Sequence, residues 1–170
     1  AEVTRRAAWK PCFLPGTLVD TPTGPRRIEL VGEGDFVLAK HPHAPEPPNP
    51  HRVLALTGST VERVVRITAA GGSLLATRNH PFFVAGRGWV PAYALCVGDP
   101  MQTPTGALSV SSIDVETLAS PTRTFNFHVS DVATYFVRLG DESVLVHNGP
   151  DDFDKVLFWL FGGKGKVRDT

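Results

Sequence analysis

Thr134-Tyr135-Phe136-Val137-Arg138-Leu139-Gly140-Asp141-Glu142-Ser143-Val144-Leu145-Val146-His147-Asn148-Gly149 is the stretch that sets the fold class. Apolar, β-branched and aromatic residues fill 134–139 and 143–147, and Gly140-Asp141 between them has the chemistry of a hairpin turn. Thr124 to Val129 just upstream has the same character. The last strand then runs into Asn148-Gly149-Pro150. Asn-Gly is itself a strong hairpin turn, yet no partner strand follows it.

The rest of the chain repeats this pattern of short strands and turns. Among 170 residues there are 16 glycines and 15 prolines, a density that long helices do not tolerate. Short apolar stretches at Thr17 to Asp20, Asp35 to Ala39, Val53 to Thr57, Val61 to Ala69 and Ser73 to Thr77 read as strands. His41 to Arg52, with prolines at 42, 45, 47, 48 and 50, reads as an exposed, extended loop. The expected fold class is all-β. An internal echo suggests two related halves. Gly24 precedes Gly34-Asp35 by the spacing at which Gly88 precedes Gly98-Asp99, and Thr-Pro-Thr-Gly occurs at both 21–24 and 103–106.

Lys and Arg total 17 and so do Asp and Glu, which argues against a partner held by charge; no nucleic acid and no membrane surface are expected. The longest apolar run, Val156 to Phe161, is far short of a membrane span. Two cysteines are too few for a disulfide framework or a four-thiolate metal site, and His41, His43 and His51 lie in the proline-rich loop without metal-ligand spacing. No cofactor and no metal are expected. Cys96, in an apolar run before Gly98-Asp99, reads as core packing.

Three places carry reactive residue types. Cys12, after Pro11 at the start of the patterned region, fits a small buried hydrophobe or a nucleophile. Thr77-Arg78-Asn79-His80-Pro81 offers a hydroxyl and a histidine, which fits a plain corner or a proton-transfer site. His147-Asn148-Gly149 fits a turn or a self-cleaving bond. In the second case the Asn148 side-chain nitrogen attacks its own backbone carbonyl, a succinimide closes, and the Gly149 nitrogen leaves while His147 polarises the carbonyl or protonates the amine. Attack in the opposite sense deamidates Asn148, so cleavage demands that His147 and Asn148 be held rigidly at a strand end beside Cys12.

Cys12-Phe13-Leu14-Pro15-Gly16-Thr17, Thr77-x-x-His80-Pro81, Phe125-Asn126-Phe127-x-Val129 with Thr134-Tyr135-Phe136-Val137, and Val146-His147-Asn148 resemble, in order, the motifs of the Hedgehog/intein (HINT) superfamily, in particular the HINT domains of bacterial polymorphic toxins and bacterial intein-like domains. The resemblance implies a horseshoe-like fold of two pseudo-symmetric β subdomains. It implies that residues 12–148 form an autoprocessing domain between an N-terminal flank, 1–11, and a C-terminal flank, 149–170, that is a linker or the start of a released toxin or effector.

By the same resemblance Cys12 makes an N-to-S acyl shift on the Pro11-Cys12 bond, Thr77 and His80 distort and protonate that amide, and His147 assists cyclisation of Asn148. The substrates are the chain's own flanks, cut once and in cis by a monomer that is part of a larger secreted bacterial precursor.

Three positions depart from the family pattern. Gly149 has no nucleophile, so ordinary splicing is not expected; Pro11 crowds the carbonyl that Cys12 must attack; and Ala133 stands where many relatives have a histidine, with His128 a stand-in or an uninvolved residue. The alternatives are a degenerate HINT-fold connector without activity and a cysteine hydrolase acting in trans through Cys12 and His80.

Overall fold

The computed structural model describes residues 11–148. The N-terminal flank apart from Pro11, and the whole C-terminal flank, lie outside the described residues. The strands are β1 (Leu18–Thr21), β2 (Gly24–Arg27), β3 (Phe36–Ala39), β4 (Asn49–Ala69), β5 (Gly72–Ala76), β6 (Pro81–Val84), β7 (Gly88–Pro91), β8 (Pro100–Gln102), β9 (Ala107–Ser109), β10 (Ser112–Val129), β11 (Thr134–Leu139) and β12 (Glu142–His147). Two single 3₁₀ turns, Ile28–Leu30 and Ala92–Ala94, are the helical content of the described residues.

An eight-stranded sheet runs β2-β1-β11-β12-β6-β8-β9 with β7 on β6, and a four-stranded sheet runs β10-β4-β3 with β5 on β4. The last hairpin pairs in register from Thr134 opposite His147 to Leu139 opposite Glu142, and Gly140 takes a positive φ of 64° in its turn. Its strands are buried almost throughout: β1 and β6 flank them in the sheet, and β3 and β5 pack against β11 and β8 against β12.

The two halves repeat one order of elements. In each, an antiparallel strand pair leads through a 3₁₀ turn into a Gly-Asp corner and a further strand. At one corner the Asp35 carboxylate accepts from Gly32 N–H and Arg26; at the other the Asp99 carboxylate accepts from Cys96 N–H and Arg87. The Gly-Asp spacing therefore reports the duplication. The Thr-Pro-Thr-Gly echo does not, since Thr21–Gly24 joins β1 to β2 whereas Thr103–Gly106 joins β8 to β9, the counterparts of β3 and β4.

Three sequence expectations change. Val53 to Thr57 and Val61 to Ala69 belong to one strand, β4, which pairs with β10 through Gly58, where the approach is so close that a Cβ would lie 2.5 Å from the Thr124 carbonyl oxygen. The proline-rich loop ends at Pro48: Asn49 to Arg52 pair with β3, and Pro50, opposite Leu38, has no neighbouring β10 residue that needs its missing N–H. Cys96 is exposed, because Asp99 holds its main chain at the surface corner.

Candidate active site

Pro11, Cys12 and Phe13 thread between the end of β5 and the C-terminal third of β10. Phe13 bridges Ala76 on one side and Phe125 on the other, exchanging two main-chain bonds with Phe125 at 2.9 and 2.8 Å. Thr77 N–H donates to the Cys12 carbonyl at 3.0 Å, and Cys12 N–H donates back to Thr77 Oγ1 at 2.9 Å. The Thr77 hydroxyl gives its own proton to Asn79 Oδ1 at 3.1 Å. In this arrangement Thr77 Oγ1 accepts from the Cys12 amide while its own proton is committed to Asn79.

The other end of the Pro11-Cys12 amide is held by a residue that the motif reading quoted without a role. Asn126 Nδ2 donates to the Pro11 carbonyl oxygen at 2.7 Å. Its orientation is forced. Asn126 Oδ1 accepts from Phe127 N–H at 2.9 Å and from the Tyr135 hydroxyl at 2.8 Å, so its nitrogen must face Pro11. Burial, and secondarily the nearby Cys12 sulfur, push the Tyr135 phenol well above its ordinary value, which keeps it a donor. The signal in the sequence was a polar residue between two aromatics on a strand.

Cys12 and His80 are fully buried, and the His80 ring packs on Phe13 with centroids 4.1 Å apart. Neither His80 ring nitrogen has a hydrogen-bond partner. Burial pulls its pKa from 6.5 to about 3; the Pro81 carbonyl, outside bonding geometry, opposes the fall, and nearby His147 adds to it. His147 closes β12 opposite Thr134 and is buried with the Trp89 ring edge-on at 5.0 Å. Burial lowers its pKa to about 4. Both imidazoles are neutral at pH 7.

Asn148 N–H donates to the Ala133 carbonyl at 2.9 Å, one residue beyond the sheet ladder. Ala133 has a positive φ of 52°, a conformation that costs a residue with a Cβ about 1 kcal/mol. The Asn148 side chain is buried, and neither Oδ1 nor Nδ2 has a partner. A buried amide left unsatisfied costs about 1–3 kcal/mol.

Contacts link Cys12 to Thr77 and Phe13 to His80, and His147, with Asn148 next in the chain, is near enough to His80 to disfavour its charged form. His128 stands apart, half-buried opposite Ala55; among the described residues nothing joins it to this group. No three His, Cys, Asp or Glu of the described residues are grouped to hold a metal, and no helix among them is long and apolar enough to cross a membrane.

Comparison with known proteins gives the family and the fold. A family model described as the pretoxin HINT domain matches residues 18–149. Among solved structures, the bacterial intein-like domain from Clostridium thermocellum is similar at 36% identity with a TM-score of 0.75, covering 81% of this chain and 98% of that one. The gp41-1 intein is similar in fold at 19% identity and TM-score 0.65, covering 81% and 98%. A DnaB intein from Synechocystis sp. PCC 6803 is similar in fold at 16% identity and TM-score 0.66, covering 83% and 100%. No curated protein matches the chain.

Proposed function

The chain belongs to the pretoxin HINT domain family, and from that premise we propose that it is a single-turnover autoprotease that cuts its own chain between Asn148 and Gly149 and releases the effector or toxin downstream. The observation that carries this reading is the Asn148 side chain, buried without a hydrogen-bond partner beside a neutral, buried His147. Nothing in the ground state competes for the amide nitrogen that must attack. The bond from Asn148 N–H to Ala133 fixes the main chain about which that attack occurs.

The proton economy follows from the neutral imidazole. As Asn148 Nδ2 closes on its own carbonyl carbon, His147 takes the proton that the side-chain nitrogen sheds. It returns a proton to the Gly149 nitrogen as the peptide C–N bond breaks. The products are a C-terminal succinimide and a free amine on Gly149, with no net proton change. Such general acid–base assistance is worth about 10²–10⁴-fold.

A second reaction belongs to the other end. Cys12 Sγ attacks the Pro11 carbonyl carbon, the C–N bond breaks, and the sulfur's proton ends on the Cys12 nitrogen, giving a thioester. Asn126 is placed to stabilise the oxyanion that forms on Pro11, and Thr77 to orient the nitrogen. Gly149 carries no group to accept the acyl chain, so the two reactions end in cleavage rather than splicing.

The test is to incubate the purified chain at neutral pH and sequence the released fragment from its amino end. A fragment beginning at Gly149, absent in Asn148→Ala and at least about 100-fold slower in His147→Ala, supports the proposal. A chain that stays intact overturns it.

A further inference from the structure

The face of the β4–β10 pair that looks onto Cys12 carries two hydroxyls that neither reaction above employs. Ser59 and Thr124 are directly opposite each other across the two strands. Their hydroxyl oxygens are 3.1 Å apart, and Ser59 Oγ lies 3.8 Å from Cys12 Sγ, within hydrogen-bonding distance for sulfur. Thr124 is fully buried, and its hydroxyl proton is committed to the Ser59 carbonyl oxygen at 2.8 Å. Thr124 Oγ1 can therefore only accept from Ser59.

That leaves one Ser59 proton and two acceptors, Thr124 Oγ1 and Cys12 Sγ. While the cysteine is a thiol, Thr124 Oγ1 at 3.1 Å and Cys12 Sγ at 3.8 Å compete for that proton. When the sulfur carries charge, rotation about the Ser59 Cβ–Oγ bond turns the same proton onto Sγ, without displacement of any heavy atom. A buried thiolate otherwise loses the solvation that water would give it, and a hydrogen bond to a charged acceptor is about twice as strong as one to a neutral acceptor. The pair does not carry the proton away, because the chain of hydroxyls ends at a carbonyl that has no proton to pass on.

We infer that Ser59, with its rotor braced by Thr124, is the catalytic hydrogen-bond donor to the Cys12 sulfur as it attacks the Pro11 carbonyl. The inference rests on the acyl shift proposed above. Ser59 donates and recovers its proton within the step, so the balance of that shift is unchanged: the S–H proton still ends on the Cys12 nitrogen.

The test uses the full chain with Cys96→Ser, so that Cys12 is the one thiol, and Asn148→Ala, so that the chain stays whole. Thiolate absorbance is followed against pH, and hydroxylamine-dependent release of the segment ending at Pro11 is timed in parallel. Ser59→Ala should raise the thiol pKa by about one unit, a tenfold loss of thiolate at fixed pH, and slow release by about the same factor. Ser59→Thr, which keeps the hydroxyl, should restore both. Superimposable titrations of the parent and a folded Ser59→Ala chain would overturn the inference. A shifted titration with no release from either chain would instead sustain the Ser59–Cys12 partnership and refute the acyl shift.

Discussion

Asn126 and Pro11 are 115 residues apart in the chain and joined by a hydrogen bond of 2.7 Å from Nδ2 to the carbonyl oxygen. A donor already aimed at the oxygen that must become an oxyanion costs no reorganisation when charge develops there. Removing one such donor typically costs about 10²–10³-fold. Asn126→Ala should therefore slow hydroxylamine-dependent release of the N-terminal flank by about that factor, measured by mass spectrometry. Cleavage after Asn148 should change far less in the same samples. Equal slowing of both would show that Asn126 acts through the fold, since its loss also strands Phe127 N–H and the Tyr135 hydroxyl.

Thr77 contributes an acceptor for a buried donor, and the energetic asymmetry of hydrogen bonds makes its loss costly. Thr77→Val keeps the shape but leaves Cys12 N–H without the Oγ1 acceptor; the expected loss is about 1–3 kcal/mol in urea unfolding. Thr77→Ser should recover most of it. Equal stability of the valine and serine variants would contradict the assignment.

His80 and His147 make acid sensitivity predictable. Their folded-state pKa values, about 3 and about 4, lie below the ordinary 6.5, so between these limits the unfolded chain binds more protons than the folded one. Stability should fall as pH drops through 6.5 and keep falling toward 4, by up to about 1.4 kcal/mol per pH unit for each histidine. Above 6.5 neither histidine contributes a slope. Thermal unfolding between pH 7 and pH 4 checks this, and His147→Gln in the Asn148→Ala background should flatten part of the decline. Cleavage, which uses the neutral ring, should hold level down to about pH 5.

Trp89 covers one side of His147. Trp89→Leu should let water reach the imidazole and move its pKa from about 4 toward 6.5, which a histidine NMR titration in the cleavage-silent chain would read directly. An unchanged titration would show that other walls of the site keep the ring dry.

Much of the fold was legible because its signals are local. The 134–147 hairpin has strand residues on both sides of a glycine turn, and the Gly-Asp corners repeat because each aspartate caps its own neighbouring loop. Cys12, Thr77, His80, His147 and Asn148 stood out because their chemistry is unusual at an element's edge. What local sequence did not show is cross-strand placement. Asn126 meets Pro11, and Ser59 meets Cys12, only through the register of two long strands, one interrupted to the eye by Gly58 and the other by Pro121. The direction of the Thr77 bond was likewise invisible, since a threonine hydroxyl donates or accepts equally well until its neighbour Asn79 takes the proton.

The central claim, that the chain cuts itself by cyclisation of Asn148, is tested most directly by intact-mass analysis of the purified protein over time at neutral pH. The account predicts a new species ending at Asn148 and one water lighter than the free acid, as a succinimide requires, and its absence in Asn148→Ala. A species ending at Asn148 with the full mass of a carboxylate from its first appearance, or the same cut in Asn148→Ala, would contradict it.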